Sequence, residues 1–254
     1  MPHLIESPQN PQFKRWKSLL DSRGLKKHGQ FLLSGRKAVP EALSRHPERF
    51  LAVLFWAEEQ LAGWRLPAGL ERYRLSRPLF RELDIIGTDA PLLVGRLPML
   101  PAADLSLPPQ GLELVCALGN PDNLGALLRS AAAFAVRRVI LLPEAAHPFH
   151  PRALRSAANA QFELELLQGP GWAALNAAAG PLFALDVRGA ALTDFAWPQD
   201  LRLILGEEGK GVPPELPVQR LAIPTTGAVE SLNATVAASL ALFSCYASRQ
   251  GAAR

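Results

Sequence analysis

From Leu112 onward, short apolar runs alternate with stretches of helical period, and this alternation constrains the fold more than any other feature of the chain. The runs LELVCAL (112–118), RRVILL (137–142) and FELELL (162–167) read as strands. LGALLRSAAAFA (124–135) and PRALRSAANA (151–160) between them read as helices. The pattern continues through a helix near Trp172–Ala179, strands PLFALDV, LRLIL and RLAI, and a closing helix from Ser231 to about Ser248. Strands that alternate with helices build parallel βαβ units, so the fold class is α/β with a parallel sheet. Ligands of open parallel sheets sit beyond the carboxyl ends of the strands. The loops to read for chemistry are therefore GNPDN (119–123), GEEGKGVPPEL (206–216) and PTTGAVESLN (224–233).

The front of the chain is different. Leu97–Gly111, rich in Pro and without a sustained period, reads as a linker. The expected division is residues 1–100 as a small N-terminal α/β domain, 101–111 as linker and 112–254 as the parallel-sheet domain; 254 residues can bury two cores. The first domain combines a basic helix near Pro11–Ser22, a strand at Phe31–Leu33, a helix after Gly35 and the run LAVLFW (51–56). Charge separates the two parts: residues 1–110 hold 16 Lys and Arg against 11 Asp and Glu, whereas residues 111–254 hold 11 against 12. The excess is densest at Lys14, Arg15, Lys17, Arg23, Lys26, Lys27, Arg36 and Lys37, with Phe13 and Trp16 interleaved. Such a strip attracts a polyanion such as RNA, although a solvated helix face has the same composition.

Several classes of function are excluded. Cys116 and Cys245 sit singly in apolar runs and build neither a disulfide framework nor a zinc site. His147 and His150 lack a third ligand at metal spacing, so no metal is expected. GEEGKG has two residues between its glycines where a phosphate-cradling P-loop needs four, and no GxGxxG opens a helix after a strand. MPHLIESPQN lacks the basic then apolar stretch of a secretory signal, and the apolar segment 234–247 is too short and interrupted to span a bilayer. A cytoplasmic protein without a membrane partner is the expectation.

The loops hold polar residues at telling places. Asn123 precedes an apolar-periodic helix and suits an N-cap. Arg129 projects roughly 140° from the centre of that helix's apolar stripe, which keeps it out of the core. Ser231 is placed to cap the last helix, with Asn233 in its first turn. Each has a bland reading alone, as cap or surface residue, and the glycines at 206, 209, 211 and 227 are explained equally by tight turns or by close approach of a ligand.

Together, LGNPDNLGALLRSAAAFAV, LILGEEGKGV and IPTTGAVESLNATVAASLALF resemble the three ordered motifs of the SpoU/TrmH family of SPOUT RNA ribose methyltransferases, over about residues 112–248. The basic front half is similar, more weakly, to the small RNA-binding domain that many members carry. The resemblance implies a C-terminal domain with a deep trefoil knot, bound S-adenosylmethionine, and a homodimer. It points to Asn123 and Arg129 from the first motif, Glu208 from the second, and Ser231 and Asn233 from the third as catalytic residues. Gly206, Ile223 and Leu232 match the positions whose backbone holds the cofactor. Lys14, Arg15, Lys17, Lys26, Lys27, Arg36 and Lys37 are the expected RNA contacts. The chain departs from the family pattern at Asn120, where Asp is common, at Ala135, where Gly is common, and at Ala157–Ala160, where Ser-x-Gly-Ala is frequent.

These groups suit methyl transfer to a ribose hydroxyl. The sulfonium methyl is already activated, so the protein must chiefly align the oxygen and help remove its proton. Arg129 can fork onto a phosphate, but a guanidinium is a poor general base, which leaves the base unassigned. The leading reading is a 2'-O-methyltransferase of structured RNA, ribosomal RNA before transfer RNA. A knotted RNA-binding module without turnover and an enzyme of a small metabolite are the alternatives.

Overall fold

A computed structural model of the chain describes residues 2–252. Contacts divide it into two units, one running to Met99 and including His147–Asn159, the other made of Leu100–Ala146 and the chain from Ala160 on.

The first unit carries a five-stranded mixed sheet in the order β1-β4-β3-β5-β2. Its strands are β1 (His3–Ile5), β2 (Gln30–Leu33), β3 (Phe50–Phe55), β4 (Glu71–Leu75) and β5 (Leu92–Arg96). Strands β1, β3 and β4 run parallel, and β5 runs antiparallel to both β3 and β2. The carboxyl ends of β2, β3 and β4 therefore emerge at one edge. The expected single basic helix is two helices, α1 (Pro11–Ser18) and α2 (Ser22–His28), because Asp21 accepts a hydrogen bond from Arg23 N–H and starts the second. Helices α3 (Ala38–Arg45) and α4 (Arg77–Leu83) complete the front of the chain. Phe13 and Trp16 are buried, with Trp16 edge-on to Tyr73, so the interleaved aromatics belong to the core and offer no surface to a base. Helix α6 (Pro151–Ala157) groups with this unit: Phe149 meets Phe31 at 5.1 Å, and Asn159 Nδ2 donates to Ala38 O at 2.9 Å.

The second unit is built on an all-parallel six-stranded sheet in the order β11-β9-β10-β6-β7-β8. The strands are β6 (Leu112–Cys116), β7 (Arg138–Leu141), β8 (Glu165–Gln168), β9 (Leu182–Ala191), β10 (Leu201–Leu205) and β11 (Gln219–Ala222). Helices α5 (Pro121–Ala133) and α7 (Ala234–Ala252) lie against each other, and the stretch expected as a helix near Trp172–Ala179 is a 3-10 turn, Trp172–Ala177. Strands β6 and β10 are buried throughout, which explains their continuous apolar runs. At their amino ends, Glu113 accepts from Arg202 Nε at 2.8 Å and Arg138 Nη1 at 3.2 Å, and Arg138 reaches Glu165 at 2.9 Å, so charges alternate across four adjacent strands. Arg202 also donates to Leu107 O and Ala179 O. With Leu105 buried and Ala102 bridged to Gln168, the Pro-rich segment packs as part of this unit.

Candidate active site

Three loops and one interruption in a strand meet at the carboxyl end of the parallel sheet. The interruption is in β9: Arg220 of β11 pairs with Ala184, yet the next residue, Leu221, pairs with Ala190. Residues 185–189 are thereby expelled from the ladder, and 185–188 line a cleft of about 960 Å³ with residues of the 206–214 and 223–234 segments. At the hinge, a Cβ on Gly189 would come within 2.5 Å of the Arg220 and Leu221 backbone, so the crossing requires glycine. Arg220 ties the pieces together. Its guanidinium donates to Asp186 Oδ2, to Pro213 O at 2.8 Å and to Val212 O at 3.4 Å, joining the expelled segment to the glycine loop.

Gly206 begins that loop at the end of β10. A Cβ there would fall 2.1 Å from the carbonyl carbon of Gly211 and 2.5 Å from Val212 N. The loop closes on itself through Glu207 N–H to Gly211 O and the reverse bond, and only a residue without a side chain allows that approach. Glu208 is carried across the cleft to the start of α5. Its carboxylate accepts from Gly119 N at 2.9 Å, Asn120 N at 3.2 Å and Asn123 Nδ2 at 3.3 Å. Burial pushes this carboxyl up, but hydrogen bonds from its own N–H, from Gly119 and Asn120 and from the Asn123 amide outweigh it and hold its pKa below the usual value. Glu208 is an acceptor locked onto donors, which makes it an orienting group and a poor proton acceptor.

The two asparagine caps differ from the sequence reading. Asn120, not Asn123, caps α5, accepting from Asp122 N and Asn123 N, and Pro121 at the first helical position fixes the start of the helix there. Asn233, not Ser231, caps α7: its Oδ1 accepts from Thr235 N at 3.0 Å and Val236 N at 3.2 Å. The shift frees the Asn123 amide to work between loops. It donates to Glu208 and accepts from Asn233 Nδ2 at 3.4 Å, so one residue from each motif forms a chain, Glu208, Asn123, Asn233. Thr235, which sequence reasoning missed, fastens the chain from below, donating from Oγ1 to Asn123 O at 3.0 Å. It gave no signal because a threonine in an apolar helix reads as an interruption. Asp186, Arg188 and Arg220 were missed too; the only hint was an Asp and a Gly inside a strand-like run.

Of the eight residues expected at the site, Asn123, Glu208, Ser231, Asn233, Gly206, Ile223 and Leu232 all line the one cleft. Arg129 does not. It is exposed on α5 and makes no hydrogen bond or ion pair among the described residues. Both thiols are buried, and burial pushes that of Cys116 up to about 12, which removes either as a nucleophile. Among the described residues, no cluster of His, Cys, Asp and Glu could hold a metal ion.

A profile of the SpoU rRNA Methylase family matches residues 114–243, the span that holds all three loops. The chain belongs to that family. A protein of Syntrophobacter fumaroxidans named ribosomal RNA small subunit methyltransferase G 2 is 37% identical over 94% of this chain, but the chain spans only 48% of it. Its name describes a protein of twice the length. The 23S rRNA (guanosine(2553)-2'-O)-methyltransferase RlmP of Bacillus subtilis is 29% identical over 94% of this chain and 97% of its own. Among solved structures, the SpoU methyltransferase AviRb of Streptomyces viridochromogenes superposes with a TM-score of 0.75 at 26% identity, covering 96% of this chain and 99% of AviRb. The same protein solved in complex with AdoMet gives 0.77 at 24%.

Within this SpoU chain, two of the departures from the family pattern fall at left-handed backbone, whereas Asn120 is extended. Ala135 has φ +56° and Asn159 has φ +71°, both where the family commonly carries glycine. Asn tolerates that region better than other non-glycine residues, whereas Ala does not. The basic residues of the strip are all exposed but not equivalent: Lys17 pairs with Glu82 at 2.6 Å, Arg36 Nε donates to Thr88 O at 3.0 Å, and Lys14 and Arg15 lie on α1, Lys26 and Lys27 on α2.

Proposed function

We propose that this SpoU protein transfers the methyl group of S-adenosylmethionine to a ribose 2'-hydroxyl of ribosomal RNA in the cytoplasm. The observation that carries the reading is the chain Glu208, Asn123, Asn233 at one wall of a cleft whose other walls are the expelled 185–189 segment and the Gly206 loop. The cleft fits the cofactor. Leu185, Val212, Ile223 and Leu232 provide apolar walls for a purine, Gly206 opens the backbone, and Asp186 and Glu230 supply acceptors for an amino acid ammonium or ribose hydroxyls. When bound, S-adenosylmethionine supplies an electrophilic methyl on a sulfonium, so no metal or protein nucleophile is required. Backbone groups at Gly206, Ile223 and Leu232 hold it, and Asn123, Ser231 and Asn233 line the side from which the ribose enters. Glu208 keeps the Asn123 amide and the 119–120 turn in place, and Arg129 orients the RNA phosphate. Ribosomal RNA is preferred because RlmP, named for 23S rRNA, aligns over nearly its whole length.

The reading includes a knot and a dimer. The expelled β9 segment and the chain returning to β11 and α7 are where the C-terminal trefoil knot would be tied. The dimer is supported by α7, where Val236, Leu240 and Phe243 repeat at helical spacing and remain 44–54% exposed. Since Arg129 lies off the cleft of its own chain, a second copy on that face gives it a route to a cleft. The first unit supplies the basic surface that holds the RNA.

The test is incubation of ribosomal RNA from cells lacking the gene with protein and methyl-labelled cofactor. Alkali should leave the label in an uncleaved dinucleotide, because a methylated 2'-oxygen cannot attack the neighbouring phosphate. Label in alkali-released mononucleotides, or on a free base, would overturn the ribose assignment.

A further inference from the structure

One edge of the first unit carries a second constellation, remote in function from the cleft and built by strand topology. Because β2, β3 and β4 point the same way, the residues that follow their carboxyl ends are delivered together: Arg36 after β2, Trp56 after β3 and Arg77 after β4. The 84–89 loop, which leads back toward β5, closes this edge, holding the two arginines directly and Trp56 through Gln60. Arg36 Nε donates to Thr88 O at 3.0 Å. Arg77 Nη2 reaches Asp89 Oδ2 at 3.4 Å while its guanidinium carbon stands 4.4 Å from the centre of the Trp56 ring. Gln60 bridges the two sides, accepting from Trp56 N at 2.8 Å and donating to Asp89 O at 2.6 Å. The loop adopts this shape with Gly87 and Asp89 both at positive φ, and Asp84 Oδ2 accepts from Asp89 N.

A purely structural corner would satisfy its own polar atoms. Here Trp56 Nε1, Asp84 Oδ1 and Thr88 Oγ1 are buried without a hydrogen-bond partner among the described residues, and Asp84 is only 7% exposed. Buried orphans of this kind are uncommon, and three of them fall in this corner. Around them Arg36, Lys37 and Arg77 are exposed, and two nearby exposed carboxylates are paired, Asp89 with Arg77 and Glu58 with Arg72. A guanidinium held over an indole is fixed in orientation and still presents its outer side, the arrangement on which unpaired bases stack.

We propose that this edge is a subsite for an unpaired RNA nucleotide, with the base stacked on Arg77 over Trp56 and its flanking phosphates on Arg36 and Lys37. The inference rests on the reading that RNA is the substrate, and it adds that the first unit selects a single-stranded or looped element. A basic helix face alone would attract duplex and single strand alike.

The test uses the full chain and two probes, a short mixed-sequence single-stranded RNA and the same strand annealed in a duplex, followed by fluorescence anisotropy. Arg77→Ala should weaken single-strand binding about 5- to 100-fold, the loss of one stacked base, while duplex binding changes little. Arg77→Lys, which keeps the charge, should fail to restore it. Arg36→Ala, an exposed site, should weaken the single strand without altering the melting temperature, and Arg23→Ala on α2 should leave the preference intact. Wild-type affinity in Arg77→Lys, or an equal loss for both probes in Arg77→Ala, would overturn the subsite. S-adenosylmethionine affinity and label transfer are measured on the same preparations. Intact single-strand preference with no transfer would fail the proposed function and spare the subsite, and transfer with no effect of Arg77 would do the reverse.

Discussion

At the scale of single residues, backbone angle explains what residue type alone did not. Ala135 stands where the family commonly has glycine, and a φ of +56° just after α5, which residue type alone does not announce, supplies the reason. Ala135→Gly should therefore raise stability by about 1 kcal/mol, seen as a higher denaturation midpoint with unchanged methyl transfer. A lower midpoint would mean that glycine's added unfolded-state entropy outweighs the strain relieved. The asparagines show the opposite limit. Three of them, 120, 123 and 233, were legible as polar residues at helix starts, but which ones cap and which one bridges depends on Pro121 and on where α7 begins, a difference of two or three residues that periodicity does not resolve. Glu208→Gln keeps the shape but faces its NH2 toward either the Gly119 donor or the Asn120 and Asn123 donors, and should lower turnover about 10- to 100-fold, the cost of charge-assisted bonds, with the fold retained. Asp186 gives a pH dependence. Burial raises its pKa, but hydrogen bonds from Arg188 N–H and Arg220 and their charges outweigh it and leave it lowered. The stability it contributes is thus complete above the ordinary carboxyl value and is lost as pH falls through the lowered one. Asp186→Asn should flatten the acid limb of stability between those values, and an unchanged limb would show that the pair with Arg220 contributes nothing.

Among the elements, the parallel strands were the most legible, because burial on both faces turns them into unbroken apolar runs that no other arrangement explains as well. Strand β9 was read correctly at its start and wrongly beyond it. PLFALDV suggests an end near Val187, whereas the strand runs to Ala191 with residues 185–189 expelled, and an expelled segment has no period to read. The packing of the Pro-rich stretch is not legible for a related reason: Leu105 is buried and the Leu107 carbonyl is held by Arg202, distant partners that local composition does not announce. Arg202→Leu tests that arrangement. It would leave Glu113, 1% exposed, with Arg138 and the Gln110 N–H but without the cation on its other oxygen, and should destabilise the chain by about 3–5 kcal/mol while making residues 100–111 the first site of proteolysis. Gly206→Ala tests the cleft itself. With 2.1 Å to the Gly211 carbonyl carbon, the new methyl must push the glycine loop outward, which should abolish cofactor binding at a stability cost of about 1–3 kcal/mol. Retained affinity in calorimetry would place the cofactor elsewhere.

For the whole molecule, the separation of charge from apolar surface matters most. The basic excess lies in the first 110 residues, while the exposed apolar stripe of Val236, Leu240 and Phe243 lies on the last helix, so the surface proposed for RNA and the one proposed for a second copy belong to different parts of the chain. Neither assignment follows from the charge total of +4, which is too small to attract RNA without clustering. The apolar stripe was hidden in the sequence, because α7 is apolar nearly all round and its spacing alone does not say which face α5 covers. The structure resolves this: Ala238, Ala241, Leu242 and Cys245 are buried, and Phe243, against Phe134 at 5.7 Å, stays half exposed. Phe243→Asp places a carboxylate at the end of that stripe and gives up the ring contact with half-buried Phe134, leaving the buried residues of α7 in place. If the stripe is a dimer face, sedimentation should change from twice the chain mass of 27.5 kDa to that mass, with the far-ultraviolet spectrum unchanged. Methyl transfer should fall with it, since Arg129 could then no longer reach a partner's cleft, although every residue lining the variant's own cleft is intact. A wild-type chain that already sediments as a monomer, or a monomeric variant with full turnover, would break the link between the exposed stripe and the reaction.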